Sequence, residues 1–198
     1  MTITELIISC GLITHPTLME AIVRAESGGN PLVIAYGSDP RTVVQPSTKA
    51  EAKYLLDNLL ANGIKPDVGL GQIWAANFER LGLDSTNVFD ECTNLKASER
   101  VLLEAYIKTP NDTHSIGRAL SVYNTGNQSD GYSNGYVVNI ISFLSGDSKT
   151  VELRNKTTHS AIAKDATNEV INTELKNCLL YTSPSPRDQR ASRMPSSA

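Results

Sequence analysis

One helical segment that ends on a carboxylate and then stops abruptly constrains this chain most. Leu18, Met19, Ile22 and Val23 recur at helical spacing, and Glu26 falls next on the same stripe. Thr17, Glu20, Arg24 and Ser27 take the opposite face. Gly28 and Gly29 offer the positive φ that favours a helix C-terminus, and Pro31 prevents a restart. A carboxyl group carried by a rigid helix end into apolar surroundings has a raised pKa and can donate a proton near neutral pH. The same pattern also describes a solvated glutamate at a frayed helix end, so the local sequence leaves both readings open.

The rest of the first 146 residues reads as a mostly helical domain, with its non-helical chain concentrated in the first half. Ile3 to Leu12 is predicted as a short packed helix, and Thr14 or His15 caps the next one ahead of Pro16. Leu32 to Pro46 is irregular, with short strands at most. Thr48 and Glu51 form a capping-box pattern for a helix to about Asn62, with Ala52, Leu55, Leu56, Leu59 and Leu60 inward. Gly69 and Gly71 alternate in Asp67-Val68-Gly69-Leu70-Gly71-Gln72-Ile73, which marks either a plain turn or a place where something approaches the backbone closely. Trp74 to Leu83 is predicted as a helix with Trp74, Phe78 and Leu81 inward, and Asp90 caps another that runs to about Lys108. Ile116, Ala119, Leu120 and Tyr123 form one more stripe, so Tyr123 ends a helical face much as Glu26 does. A last helix is expected from about Tyr132 to Leu144.

Residues 147–177 are polar and hold too few large aliphatic residues to build a second core; at most one marginal helix fits there, over about Ser160 to Lys176. Residues 178–198 resemble translated adapter or vector sequence and are read as a non-native tail. Without that stretch's three Arg and one Asp, the net charge moves from −3 to −5. No basic stripe is present, which argues against a nucleic-acid partner, and no apolar run is long enough to span a membrane. His15, His114 and His159 form no pair at metal-ligand spacing, so neither a metal nor a cofactor is expected. Cys10 and His15 lack a neighbour to orient the imidazole for thiol chemistry. By spacing alone, Cys10 and Cys92 fit a disulfide in an exported protein and two buried thiols equally well. Met1 to Leu12 has no recognisable signal peptide, which leaves another export route or a start inside a longer precursor.

Four blocks occur in order: Glu26-Ser27-Gly28-Gly29-Asn30-Pro31, the Asp67–Ile73 run, Phe89-Asp90-Glu91-Cys92-Thr93-Asn94-Leu95, and Tyr123-Asn124-Thr125-Gly126 followed by Gly135-Tyr136-Val137. Together they resemble the soluble lytic transglycosylase superfamily, in particular its members associated with type IV secretion and conjugation. The resemblance implies a mainly α, lysozyme-like α+β fold and a periplasmic or cell-envelope location. It implies cleavage of the β-1,4 bond between N-acetylmuramic acid and N-acetylglucosamine in peptidoglycan glycan strands, with 1,6-anhydromuramic acid as product. Secretion or conjugation subunits are the partners it suggests.

Under this resemblance Glu26 matches the single catalytic carboxylate, with Ser27 beside it. Gln72, Tyr123, Asn124 and Tyr136 match substrate-binding positions, and Cys10 and Cys92 sit where secretion-associated members carry cysteines. Gly71 stands where the family pattern has methionine, which is expected to remove an apolar wall contact. Two other readings compete. One is a hydrolytic, lysozyme-type muramidase with Asp39 or Asp67 as second carboxylate. The other is a wall-binding assembly factor that recruits through residues 147–177.

Overall fold

Capping side chains start several of the helices, and left-handed glycines end others. The computed structural model describes residues 1–145 other than Asp39 and Thr113. The expected tails over 147–177 and 178–198, including the marginal helix, His159 and Cys178, lie outside the described residues. Helix α1 (Ile3–Ser9) starts at Thr2, whose hydroxyl accepts from the Glu5 N–H while the Glu5 carboxylate accepts from the Thr2 N–H. Helix α2 (Pro16–Ser27) starts at His15 and ends at Gly28, which is left-handed at φ 63°. Strands β1 (Ile34–Tyr36) and β2 (Thr42–Val44) follow, then α3 (Lys49–Ala61), whose Thr48 cap accepts from the Glu51 N–H.

Strands β3 (Asp67–Val68) and β4 (Ile73–Trp74) form a tight hairpin. A short 3₁₀ turn over Ala75–Asn77 leads into α4 (Phe78–Leu81). Then come α5 (Glu91–Lys108, capped by Asp90), α6 (Ser115–Thr125), α7 (Asp130–Ser133) and α8 (Tyr136–Ser145). The four strands make one antiparallel sheet in the order β2-β1-β3-β4. The fold is thus mainly α with a small sheet from the first half of the chain, as expected of a lysozyme-like domain. Among the described residues, no helix is long and apolar enough to cross a membrane.

Two apolar clusters hold these elements. Leu18, Met19 and Ile22 of α2 pack with Leu95, Leu102, Leu120, Val137 and Ile140 from α5, α6 and α8. The sheet side has its own cluster around Ile34, Leu56, Val68, Ile73, Phe78 and Phe89. A disulfide joins Cys10, just after α1, to Cys92 in the first turn of α5, with Cα atoms 5.1 Å apart.

Two expected helices differ. Trp74 starts no helix: the Ala75 N–H bonds to the Pro66 carbonyl and extends the hairpin, so helical chain begins only after it. Strand alternation then buries Ile73 and turns Trp74 outward, opposite to the expected inward face. The last helix is split into α7 and α8 by Gly135 at φ 84°, and the Asn134 side chain accepts from the Tyr136 N–H to begin α8.

Candidate active site

Helix α2 delivers Glu26 to one wall of a cleft of about 530 Å³. Gln72 and Trp74 line the cleft from the β3–β4 hairpin, and Tyr123, Asn124 and Thr125 line it from the end of α6. Arg41, Asp67, Arg80, Glu104 and Lys108 add charge to its walls.

Glu26 is partly exposed as a residue, yet its carboxyl group is enclosed by protein. Burial pushes its pKa up to about 7, opposed by the Tyr136 hydroxyl; the Asp67 charge raises it further and the Arg41 charge lowers it. At that value the group is divided between acid and carboxylate at neutral pH. The Tyr136 hydroxyl is buried, couples electrostatically to Glu26, and makes no hydrogen bond of regular geometry among the described residues.

The other cleft carboxylates are held by guanidinium groups. Arg41 donates to Asp67 at 2.7 Å, and although burial leaves the Asp67 pKa raised, the Arg41 charge opposes that rise. Glu104 is bound by both Arg80 and Arg100, which outweigh its partial burial and hold it below the usual carboxylate range.

The hairpin loop is locked from beneath. Asn94 is fully buried on α5; its amide donates to the Val68 and Val88 carbonyls, each at 3.1 Å, and its oxygen accepts from the Gly71 N–H at 2.9 Å. A Cβ at Gly69 would lie 2.3 Å from the Asn94 amide, and one at Gly71 would lie 1.8 Å from the Ser98 hydroxyl. Hence the alternating glycines answer to a close approach by another segment of the chain. It also corrects the expectation at Gly71: a side chain there would run into Ser98 and Tyr123 beneath the loop, so glycine marks occupied space and no missing wall.

Gln72 closes the loop at φ 47°, a left-handed conformation that is unusual for a residue with a side chain. Its amide N–H₂ group donates to the Val33 and Gly69 carbonyls at 3.2 and 3.0 Å, which leaves its oxygen as an acceptor for a ligand. The Tyr123 hydroxyl donates to the Gly71 carbonyl at 2.7 Å, and burial together with the Glu26 charge raises its pKa. Asn124 is exposed, and its side-chain oxygen accepts from Asn134 at 2.8 Å, leaving its amide hydrogens free to donate.

The model of the transglycosylase SLT domain matches residues 12–138. The chain belongs to the transglycosylase SLT family. Among its relatives, the protein virB1 of Agrobacterium fabrum is 33% identical over 131 residues, covering 65% of this chain and 53% of that protein. The type IV secretion system protein virB1 of Brucella abortus is 33% identical over 128 residues, covering 62% and 53%. This chain therefore spans about half the length of the curated relatives it matches. No solved structure gives a significant match.

Of the residues expected at an SLT site, Glu26, Gln72, Tyr123 and Asn124 share the cleft, and Tyr136 backs Glu26. Ser27 does not join them. Its hydroxyl donates to the Val23 carbonyl and accepts from the Gly29 N–H, so it serves the helix end. Asp67, the rival second carboxylate, lies in the cleft, whereas Asp39 is outside the described residues. Sequence reasoning missed Trp74, Arg41 and Asn94 as parts of the site. An isolated Trp two residues after Gln72 was the available signal for the first; the other two carry none, because their contacts span 26 residues or fall inside the core.

Proposed function

We propose that this chain is a peptidoglycan lytic transglycosylase with Glu26 as its only acid. In the first step protonated Glu26 gives its proton to the glycosidic oxygen between N-acetylmuramic acid and N-acetylglucosamine as the C1–O bond breaks. The substrate's 2-acetamido oxygen stabilises the positive centre at C1. The Glu26 carboxylate then takes the proton of the C6 hydroxyl as that oxygen bonds to C1. The product is 1,6-anhydromuramic acid, no water is consumed, and Glu26 ends protonated again.

The observation that carries this reading is the enclosed Glu26 carboxyl with a pKa of about 7, in a cleft whose other carboxylates are bound to arginines. A group that must donate and then accept the same proton works best with its pKa near the working pH. Gln72 and Asn124 supply an acceptor and a donor suited to acetamido groups. In the same reading residues 1–146 form the catalytic domain, followed by the polar tail over 147–177 and the non-native stretch over 178–198. The names of the relatives support a role in opening the wall for a type IV secretion or conjugation apparatus, whose subunits are the proposed partners. The Cys10–Cys92 bond supports an oxidising compartment such as the periplasm.

One observation favours a second reading: Asp67 shares the cleft with Glu26 and could hold a water for hydrolysis. Digestion of purified peptidoglycan followed by mass analysis of the muropeptides separates the two. Anhydromuramic ends support transglycosylation; reducing ends, heavier by one water, mean the lysozyme-type reading is right. Glu26→Gln should abolish either activity, and full turnover by that variant would remove Glu26 from the mechanism.

A further inference from the structure

Trp74 is the only tryptophan of the chain, and it stands 52% exposed on the wall of a cleft otherwise lined mainly by polar and charged groups. Its neighbour Ile73 faces the core, so the outward turn follows from strand alternation and is fixed by the hairpin register, in which Asp67 pairs with Trp74 and Val68 with Ile73. The indole N–H donates to the Lys65 carbonyl at 3.1 Å, which ties the ring's polar edge to the chain just ahead of β3. An indole whose polar edge is already bonded presents only its π-face to a ligand. Leaving such a surface in water forgoes its burial, and a pyranose offers a flat face of C–H groups that matches it, with hydroxyls directed to the sides. Asn77, three residues on, lines the same wall, and its oxygen accepts from Arg80 Nε at 3.2 Å. The Asn77 amide hydrogens are thereby left to meet the equatorial hydroxyl or acetamido oxygen of a sugar resting on the ring.

We propose that Trp74 is a stacking platform for one N-acetylhexosamine ring of the glycan, with Asn77 as its polar flank. This deepens the transglycosylase reading and rests on it for the choice of sugar.

The single tryptophan makes the test direct. Full-chain Glu26→Gln protein is titrated with hexa-N-acetylchitohexaose while indole emission is followed with red-edge excitation that the tyrosines do not absorb. The same binding is measured by calorimetry for Glu26→Gln, Trp74→Ala/Glu26→Gln and Trp74→Phe/Glu26→Gln. The expected results are a saturable change in emission, weakening on the order of tenfold for the alanine variant (about 1.4 kcal/mol), and retention of most affinity by phenylalanine. Unchanged emission at calorimetric saturation, equal affinity of the alanine variant, or no binding of the oligosaccharide would each overturn the platform. Thermal melts of the variants must coincide with that of Glu26→Gln, and a loss of affinity that phenylalanine does not rescue despite coincident melts also counts against it. Wall digestion by the parent protein keeps the two proposals apart. Sugar binding through Trp74 without any wall cleavage sinks the transglycosylase reading alone, and anhydromuramic products with a KM unmoved in Trp74→Ala sink the platform alone.

Discussion

Replacing Glu26 by Gln should stabilise the fold at alkaline pH while removing activity. The Glu26 carboxyl has a pKa of about 7 in the folded chain against an ordinary value of 4.5. Because the folded value is the higher one, the folded state binds the proton more tightly than the unfolded state. Glu26 therefore adds its full share of stability below pH 4.5, and that share is lost as pH rises toward and through 7. At roughly 1.4 kcal/mol for each pKa unit, ionising Glu26 in place costs about 3 kcal/mol. Glutamine is nearly isosteric with the protonated acid and carries no charge, so it avoids this cost. Urea unfolding of both proteins should give similar free energies at about pH 4, and the Gln variant should be about 3 kcal/mol more stable at about pH 8. In thermal melts the alkaline difference corresponds to roughly 6–12 °C for a chain of this size. The difference between the two proteins is the quantity to follow, since all other titrations are shared. A difference that does not change with pH would refute the claim that Glu26 is held in a site hostile to its charge.

Three more outcomes follow from the same geometry. Arg41→Gln removes a positive charge that lowers the pKa of both Asp67 and Glu26, so the alkaline limb of the kcat/KM profile should move to higher pH. Asn94→Ala should destabilise the chain by about 3 kcal/mol in chemical unfolding, because it strands the Val68 and Val88 carbonyls and the Gly71 N–H inside the protein. Reducing the Cys10–Cys92 bond, which closes a loop across 82 residues, should cost about 3–4 kcal/mol by comparison of melts with and without reductant.

The helices were legible because their signals are local. Thr48 and Asp90 precede their helices as caps, Gly28 and Gly126 end theirs in the left-handed region, and each stripe repeats within one segment. The alternation of Gly69 and Gly71 announced a close approach but could not name what approaches, because Asn94, Ser98 and Tyr123 lie 23 to 52 residues further along. Trp74 was misread for a related reason. Positions 74, 78 and 81 satisfy a helical stripe, while a two-residue strand is too short to display its own alternation. What placed Trp74 in the cleft was pairing with Asp67, a fact of the hairpin and not of the stripe.

The same hairpin narrows the chemistry of the proposed reaction. Tyr123 couples to Glu26 and carries a phenol on the cleft wall that a proton-transfer scheme would invite. Its proton is committed to the Gly71 carbonyl, and its pKa is raised both by burial and by the Glu26 charge, so it stays protonated near neutral pH and is a poor source of a proton. Tyr136 is buried behind the carboxylate, where the Glu26 charge raises its pKa too, and its hydroxyl stabilises the ionised form of Glu26 instead of competing for the proton. Asp67 and Glu104 are tied to Arg41, Arg80 and Arg100. Each of these ties bears on one alternative, and the proposed reaction therefore assigns the proton that leaves and returns to Glu26, whose pKa is about 7 and whose carboxyl is bound to no arginine among the described residues.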